Sequence, residues 1–439
     1  MSKNLLSAGA ARTVINPPMG VDLCGYAGRV PGCTGIHDDL HAKALALSDG
    51  RTQAAIVSLD LVGLSAEQAA WIRREASRRT GIPGENVLIG ASHTHAGPAS
   101  QTIRACGYAN DAYVEDLLSR IVWAVESALR SMRPARFGFG TAHANIAINR
   151  RYRAPSGEVQ IGENAGGVTD PEVGIWHFTD QEGRPLATVF NYACHAVVMG
   201  GDNRLVSADW PGAAQRAIEA GIGRQAMFLQ GCCGNINPRE RGTFEAVEQT
   251  GREVAEAVLA ALAVIRSSAD LEMSIASETV DVPLQRPISL AEAERTVRES
   301  AETLAKDDIP LHERHLHQAY HDWAQAIISR GATAPTSVPF EVQRLSLDDA
   351  HIIGLPGEVF VEYALNLKKL RPNVMVSGYT NGNVGYVPTR KAFEDGGYEV
   401  DLAYKLYAQQ MFTPDAEDVI LDAGTRLLAD RRSHPGPRA

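Results

Sequence analysis

The chain predicts an α/β fold, a mixed β-sheet core flanked by helices with a smaller α+β lobe toward the C-terminus. Three observations carry that prediction. Short apolar runs alternate with helical patterns through the first half, two long alternating runs sit on either side of a turn, and several runs end in ionisable residues. Strand and helix patterns in alternation bury their apolar sides best as helices layered on a sheet.

The elements follow in order. "QAAIVSLDLVGL" reads as a strand, residues 65 to 80 as a helix, and "NVLIGAS" as a second strand. Residues 111 to 131 place Leu117, Ile121, Val125 and Leu129 on one helical face. In "EVGIWHFTDQEGRPLATVFNYACHAVV" the "QEGR" between alternating runs predicts a hairpin, which makes the sheet mixed. "QAMFLQGCCGNINP" is a strand entering a Gly-rich turn, and 243 to 265 is helical through Val247, Val254, Val258 and Leu262. "SSADLE" at 267–272 marks the boundary between an N-terminal part, 1–268, and a C-terminal lobe, 269–439. Residues 289 to 330 are helical, broken at Pro310, and His312, His315, His317 and His321 on that stretch read as a solvated helix face. "VPFEVQRLSLDDAHIIGLPGE" predicts a hairpin whose second strand runs to Glu358, followed by a helix to about 370. The tail "DRRSHPGPRA" is expected to fray.

Composition narrows the function. A chain of 439 residues, 44% hydrophobic, with net charge −10 and no dense Lys/Arg block is a poor partner for nucleic acid or an anionic surface. No apolar run approaches the roughly 20 residues of a bilayer span. "MSKNLLSAGAARTVINPP" lacks the apolar core of a secretion signal, so a cytoplasmic location is expected. Six cysteines, two of them adjacent, do not make a disulfide framework and predict reduced thiols. Oligomeric state stays open, a homo-oligomer included.

The chemistry collects at strand ends. His93 and His95 follow "VLIGAS"; in extended backbone, side chains two apart share a side, so both imidazoles would face one cleft. His195 follows "ATVFNYAC", Glu358 follows "HIIGLPG" and Tyr386 follows "TNGNVG". Sites in α/β folds gather at the carboxyl ends of strands, and two histidines with a carboxylate there suit a catalytic zinc with an open position. Taken singly, each has a plain alternative: a hydrogen-bonded buried histidine, a carboxylate on a helix N-terminus, a core tyrosine.

In order along the chain, "GIHDDLHAKALAL", "IVSLDLVGL", "SHTHAGP", "INRRY", "FNYACHAVVMG", "SADWPG", "QGCCGNINP", "GLPGEVF" and "YVPTRKAFEDGGYE" resemble the motifs of the neutral ceramidases and their bacterial relatives. The resemblance implies a zinc-dependent amide hydrolase with one Zn2+ per chain. It puts His93, His195, Glu358 and Tyr386 at the ligand positions. It puts His95, Arg150 and Tyr398 at positions that bind substrate and stabilise the transition state. Attack by zinc-activated water with His95 and Tyr398 as donors is then coherent, with Arg150 as a fixed fork for a substrate oxygen and Asp60 and Asp209 orienting the metal-bound histidines.

Three departures shape the expectation. The family pattern includes a C-terminal β-sandwich domain and an export signal, neither legible here. Its "GDVSPN"-like turn has a serine near the reaction centre where this chain has Asn237. A small, soluble N-acyl compound is therefore the expected substrate, with esterase or lactonase activity and ceramide hydrolysis as alternatives. Two rival readings are a thiolate nucleophile at Cys232 or Cys233 in "GCCGN" and a binding protein without turnover.

Overall fold

The computed structural model describes residues 5–430. Three mixed sheets form the frame, and each contains one parallel strand pair. In the first, strand order is Val87–Ala91, Gln53–Leu59, His41–Ser48, Ser7–Val14 and Arg133–Pro134, with the first two parallel. In the second it is Gln225–Gln230, Pro185–Tyr192, Glu172–Thr179 and Arg136–His143, again with the first two parallel. In the third it is Met273–Pro283, Ser337–Leu347, Ala350–Gly354 and Val374–Ser377, with the last two parallel.

Helices cover these sheets as the apolar periodicity requires. Ala66–Thr80 starts in a capping box, Ser65 with Gln68, and stops where Gly81 takes φ 77°. It packs with Asp111–Arg130, whose buried Leu117, Ile121 and Val125 face the first sheet. Asp209–Ile222 and Phe244–Leu262 lie on the second sheet, Val361–Lys368 and Ala416–Ala429 on the third. Leu290–Leu304 and Leu311–Arg330 form a helical hairpin divided at Pro310. His315 on that hairpin is half-buried and its Nδ1 lies 2.6 Å from the carbonyl of Ala27, so the histidine face is partly docked, not wholly solvated. The "QEGR" hairpin forms between Glu172–Thr179 and Pro185–Tyr192. The expected strand into Glu358 instead stops at Gly354, because Pro356 has no N–H to continue a ladder. The fraying expected of the tail falls almost wholly outside the described residues.

The sheets are stitched together near the carboxyl ends of their parallel strands. Isolated bridges join Gly90 to Thr380 and Gly231 to Ser377. Asn191 Nδ2 donates to the carbonyls of Leu229 and Val376, and Gln230 Nε2 to those of Ser92 and Cys194. One apolar cluster takes Leu45, Ile56 and Leu88, Trp176 and Met227, and Leu345, Ile352 and Met375 from all three sheets, so it spans residue 268. These bridges and hydrogen bonds gather where the three parallel pairs end.

A buried histidine away from that point gives the fold a predictable acid response. His177, with Nδ1 2.9 Å from Thr188 Oγ1, is pushed down to about 4 by burial. The unfolded chain takes its proton near 6.5 and the folded chain does not until about 4. The group therefore favours unfolding as pH falls through that window, by roughly 3 kcal/mol in full. Urea unfolding is expected to show wild type losing about 2 kcal/mol more than His177→Gln between pH 7.5 and pH 5. Parallel pH profiles would remove this account.

Candidate metal centre

Each sheet delivers a side chain to one buried point. His93 follows Val87–Ala91, His195 follows Pro185–Tyr192, and Glu358 follows Ala350–Gly354 after a short Leu-Pro-Gly turn. Glu358–Val359 then pairs in parallel with Tyr386–Val387, which sets Glu358 and Tyr386 side by side in register. His93, His195 and Glu358 are each no more than 2% exposed.

The two histidines are held by backbone carbonyls. His93 Nδ1 lies 2.6 Å from Val62 O; His195 Nδ1 lies 2.6 Å from Cys233 O and 3.0 Å from Ile236 O. A carbonyl only accepts, so Nδ1 carries the proton of each neutral ring and Nε2 offers a lone pair. Both Nε2 atoms point at one carboxylate oxygen, Glu358 Oε2, at 3.2 and 3.4 Å. His95 Nε2 sits 3.1 Å from His93 Nε2. Lone pairs converging on an anion call for positive charge at the centre. Burial, reinforced by Arg150, drives His195 down to about 4, and burial with the neighbouring His93 drives His95 well below its usual value. A second proton on His195 or His95 is thus disfavoured at neutral pH. Among the described residues, the nitrogens of His93, His95 and His195 lie within 4.8 Å of one another and can hold a metal ion. His95, expected to serve the substrate, is therefore the third nitrogen of the group.

The cause of the His93–His95 convergence differs from the expected one. Residues 92–94 are not strand, and His93 takes φ +60°. That left-handed turn is secured by His93 N donating to Leu61 O and His95 N to Ala196 O. A non-glycine residue held there is strained backbone of the kind that collects at functional sites.

The remaining residues named from sequence sit around this group. Arg150 Nη1 is 3.4 Å from His195 Nε2, its guanidinium carbon is 5.2 Å from the centre of the Tyr386 ring, and its Nη2 is buried with no hydrogen-bond partner. Tyr398 opens a four-residue helix and meets Tyr386 edge-on at 5.7 Å. Burial pushes both phenols up, and the nearby Arg150 lowers them without overcoming it. Asn237 pairs with Ile148 across an antiparallel ladder, which puts it on the face that also carries Arg150, and its Oδ1 is buried without a partner.

Two expectations are corrected. Asp60 accepts from His41 N and Gln215 Nε2, and Asp209 accepts from the backbone N–H groups of Val198, Met199 and Trp210. Neither carboxylate orients a histidine ring, because backbone carbonyls already occupy the Nδ1 positions. Asp209 supports the site at one remove: it fixes the turn after His195 and the start of the helix whose Trp210 Nε1 donates to His195 O. Cys232 and Cys233 are fully buried and burial pushes both thiols up, so a thiolate nucleophile is disfavoured.

Sequence reasoning missed several residues. Tyr379 stacks on His93 at 4.1 Å and its hydroxyl donates to Glu358 Oε2 at 3.4 Å; Tyr407 donates to Glu358 Oε1. The "GCCGN" turn is a support: a Cβ on Gly234 would sit 2.3 Å from Glu358 O. Gly25, at φ +115°, lies against the His95 ring, where an added Cβ would approach Cγ to 2.3 Å. Gly25→Ala is therefore expected to displace that ring and weaken metal binding by about tenfold to a hundredfold in a competition titration. Unchanged affinity would mean that the ring has room to move.

Residues 8–261 match the family model described as neutral/alkaline non-lysosomal ceramidase, N-terminal. The chain belongs to this family. Among similar curated proteins, the neutral ceramidase of Pseudomonas aeruginosa is 24% identical over 233 residues, covering 50% of this chain and 34% of that protein. Neutral ceramidase B of Dictyostelium discoideum is 27% identical over 246 residues, covering 51% and 34%. The matched segment thus spans about a third of those relatives' length. In structure, this ceramidase-family chain is similar along 100% of its length to 77% of the crystal structure of the Pseudomonas aeruginosa neutral ceramidase, with TM-score 0.74 at 18% identity. A ceramidase complexed with C2 gives TM-score 0.72 at 17% identity over 98% of this chain and 77% of that one. These likenesses bear out the mixed α/β fold. No helix among the described residues is long and apolar enough to cross a membrane.

Proposed function

We propose that this chain is a zinc-dependent hydrolase that cleaves the amide bond of an N-acyl compound. The observation that carries the reading is the convergence of His93 Nε2, His195 Nε2 and Glu358 Oε2 on one buried point with Nδ1 already committed on both rings. An N/O donor set of this kind suits zinc, with His95 or Tyr386 to complete it. The chemistry zinc supplies in such a site is to polarise a carbonyl oxygen and make hydroxide available near neutral pH.

The chain's own groups do the rest. Arg150 presents Nη2, a buried donor with no other partner, to the carbonyl oxygen as it gains charge. Asn237 Oδ1, a buried acceptor likewise unpartnered, suits the amide N–H of the scissile bond. The Tyr398 hydroxyl, on a ring that meets Tyr386 edge-on, and His95 Nδ1, buried and unpartnered, are the two groups available to pass a proton to the leaving amine.

The curated relatives are named for ceramide, a lipid amide, which makes a ceramide-type N-acyl lipid the first substrate to test. The second reading is a small soluble N-acyl compound, whose carbonyl the same donors would hold. Turnover of a C12 ceramide in detergent micelles and of N-acetyl and N-octanoyl p-nitroanilides decides between them. Amide cleavage lost on chelation and restored by zinc is the expected result. Activity that survives exhaustive chelation, or cleavage of esters and lactones alone, would overturn the proposal.

A further inference from the structure

Arg150 and Arg151 are consecutive in the Ala147–Arg153 strand, and a regular strand would send them to opposite faces. The register shifts between Asn149 and Arg151, a bulge that breaks the alternation. Both guanidinium groups then reach one carboxylate. Arg150 Nε donates to Glu399 Oε1 at 2.9 Å, and Arg151 Nη1 donates to Glu399 Oε2 at 2.6 Å. Glu399 is 1% exposed and follows Tyr398 in the same short helix. Arg151 is itself anchored, with Nη2 donating to Gly396 O at 2.6 Å and its guanidinium carbon 5.4 Å from the centre of the Phe360 ring.

What matters is which edge of Arg150 is taken. A guanidinium has five N–H donors in a rigid plane. Glu399 holds the Nε edge and leaves the terminal nitrogens uncommitted to a carboxylate, Nη1 at 3.4 Å from His195 Nε2 and Nη2 buried without a hydrogen-bond partner. Rotation of Arg150 about its long side chain would move both donors away from the centre. A carboxylate clamped from its far side by Arg151 prevents that rotation.

We propose that Glu399 is the positioning residue for Arg150: held by Arg151, it aims the terminal edge of Arg150 at the histidine cluster as a two-donor fork for a substrate oxygen. The claim rests on the reading of Arg150 as the donor to that oxygen. It also explains why "INRRY" and "GGYE", far apart in sequence, each carry a charged residue beside one already assigned to the site.

The test is a double-mutant cycle on the full zinc-loaded chain, with Glu399→Gln, Arg150→Met and the double variant. Two readouts are taken: kcat and KM on N-octanoyl p-nitroanilide, and the calorimetric affinity for octanoate, the carboxylate that such a cleavage releases. Zinc content and thermal melting accompany each protein. Glu399→Gln is expected to keep its zinc, lower kcat about tenfold or more with little change in KM, and weaken octanoate about tenfold. In the Arg150→Met background the same substitution should cost nothing further. Should Glu399→Gln fail to fold, Arg151→Met loosens the clamp without stranding Glu399, and the same loss, smaller and equally absent from the Arg150→Met background, is expected. Losses that multiply in the double variant, or unchanged kinetics and octanoate affinity in Glu399→Gln, would overturn the positioning role while leaving Arg150's own role standing. An Arg150→Met protein that binds octanoate and turns over like wild type would overturn both readings.

Discussion

His195→Ala is expected to lose stoichiometric zinc. Its Nε2 is one of the two lone pairs aimed at Glu358, delivered from the end of the Pro185–Tyr192 strand. The change also strands the carbonyls of Cys233 and Ile236, at a cost of about 1–3 kcal/mol in stability. Elemental analysis of the folded variant should find less than about a tenth of a zinc per chain against about one in wild type. A folded His195→Ala protein with full zinc would remove His195 from the ligand set.

Arg150→Met is expected to keep its zinc and lose about 10²–10³ in kcat, the range seen when one donor to a developing oxyanion is deleted. The fold should tolerate the change, because Glu399 keeps Arg151 as a partner and the methionine fills most of the buried volume. Steady-state kinetics on an N-acyl p-nitroanilide read the effect as a fall in kcat with KM little changed. Equal kcat in the variant would assign the oxygen-binding role elsewhere.

Much of this centre is legible in sequence because strand ends are legible. The apolar runs before His93 and His195 give away both the strands and the point where each stops, and the rule that chemistry gathers there then groups residues from separate sheets. What escaped depends on contacts that leave no local trace. Tyr379, Tyr407 and Glu399 meet their partners across 21, 49 and 249 residues, and no periodicity marks them. The orienting role that the sequence suggests for Asp60 and Asp209 is filled in the fold by backbone carbonyls at Nδ1 of His93 and His195. The turn at His93 ran against sequence logic in a different way. Its φ of +60° is imposed by tertiary hydrogen bonds on a residue with no intrinsic preference for it. The adjacent cysteines advertise reactivity by type, and only their burial shows that they pack.

X-ray absorption at the zinc edge of the purified, zinc-loaded chain tests the central claim most directly. The account predicts a shell of nitrogen and oxygen at about 2.0–2.2 Å with imidazole scattering from at least two histidines, and no sulfur. Sulfur at about 2.3 Å would move the metal to the cysteine pair, and a protein that takes up no zinc would contradict a metal centre at His93, His195 and Glu358.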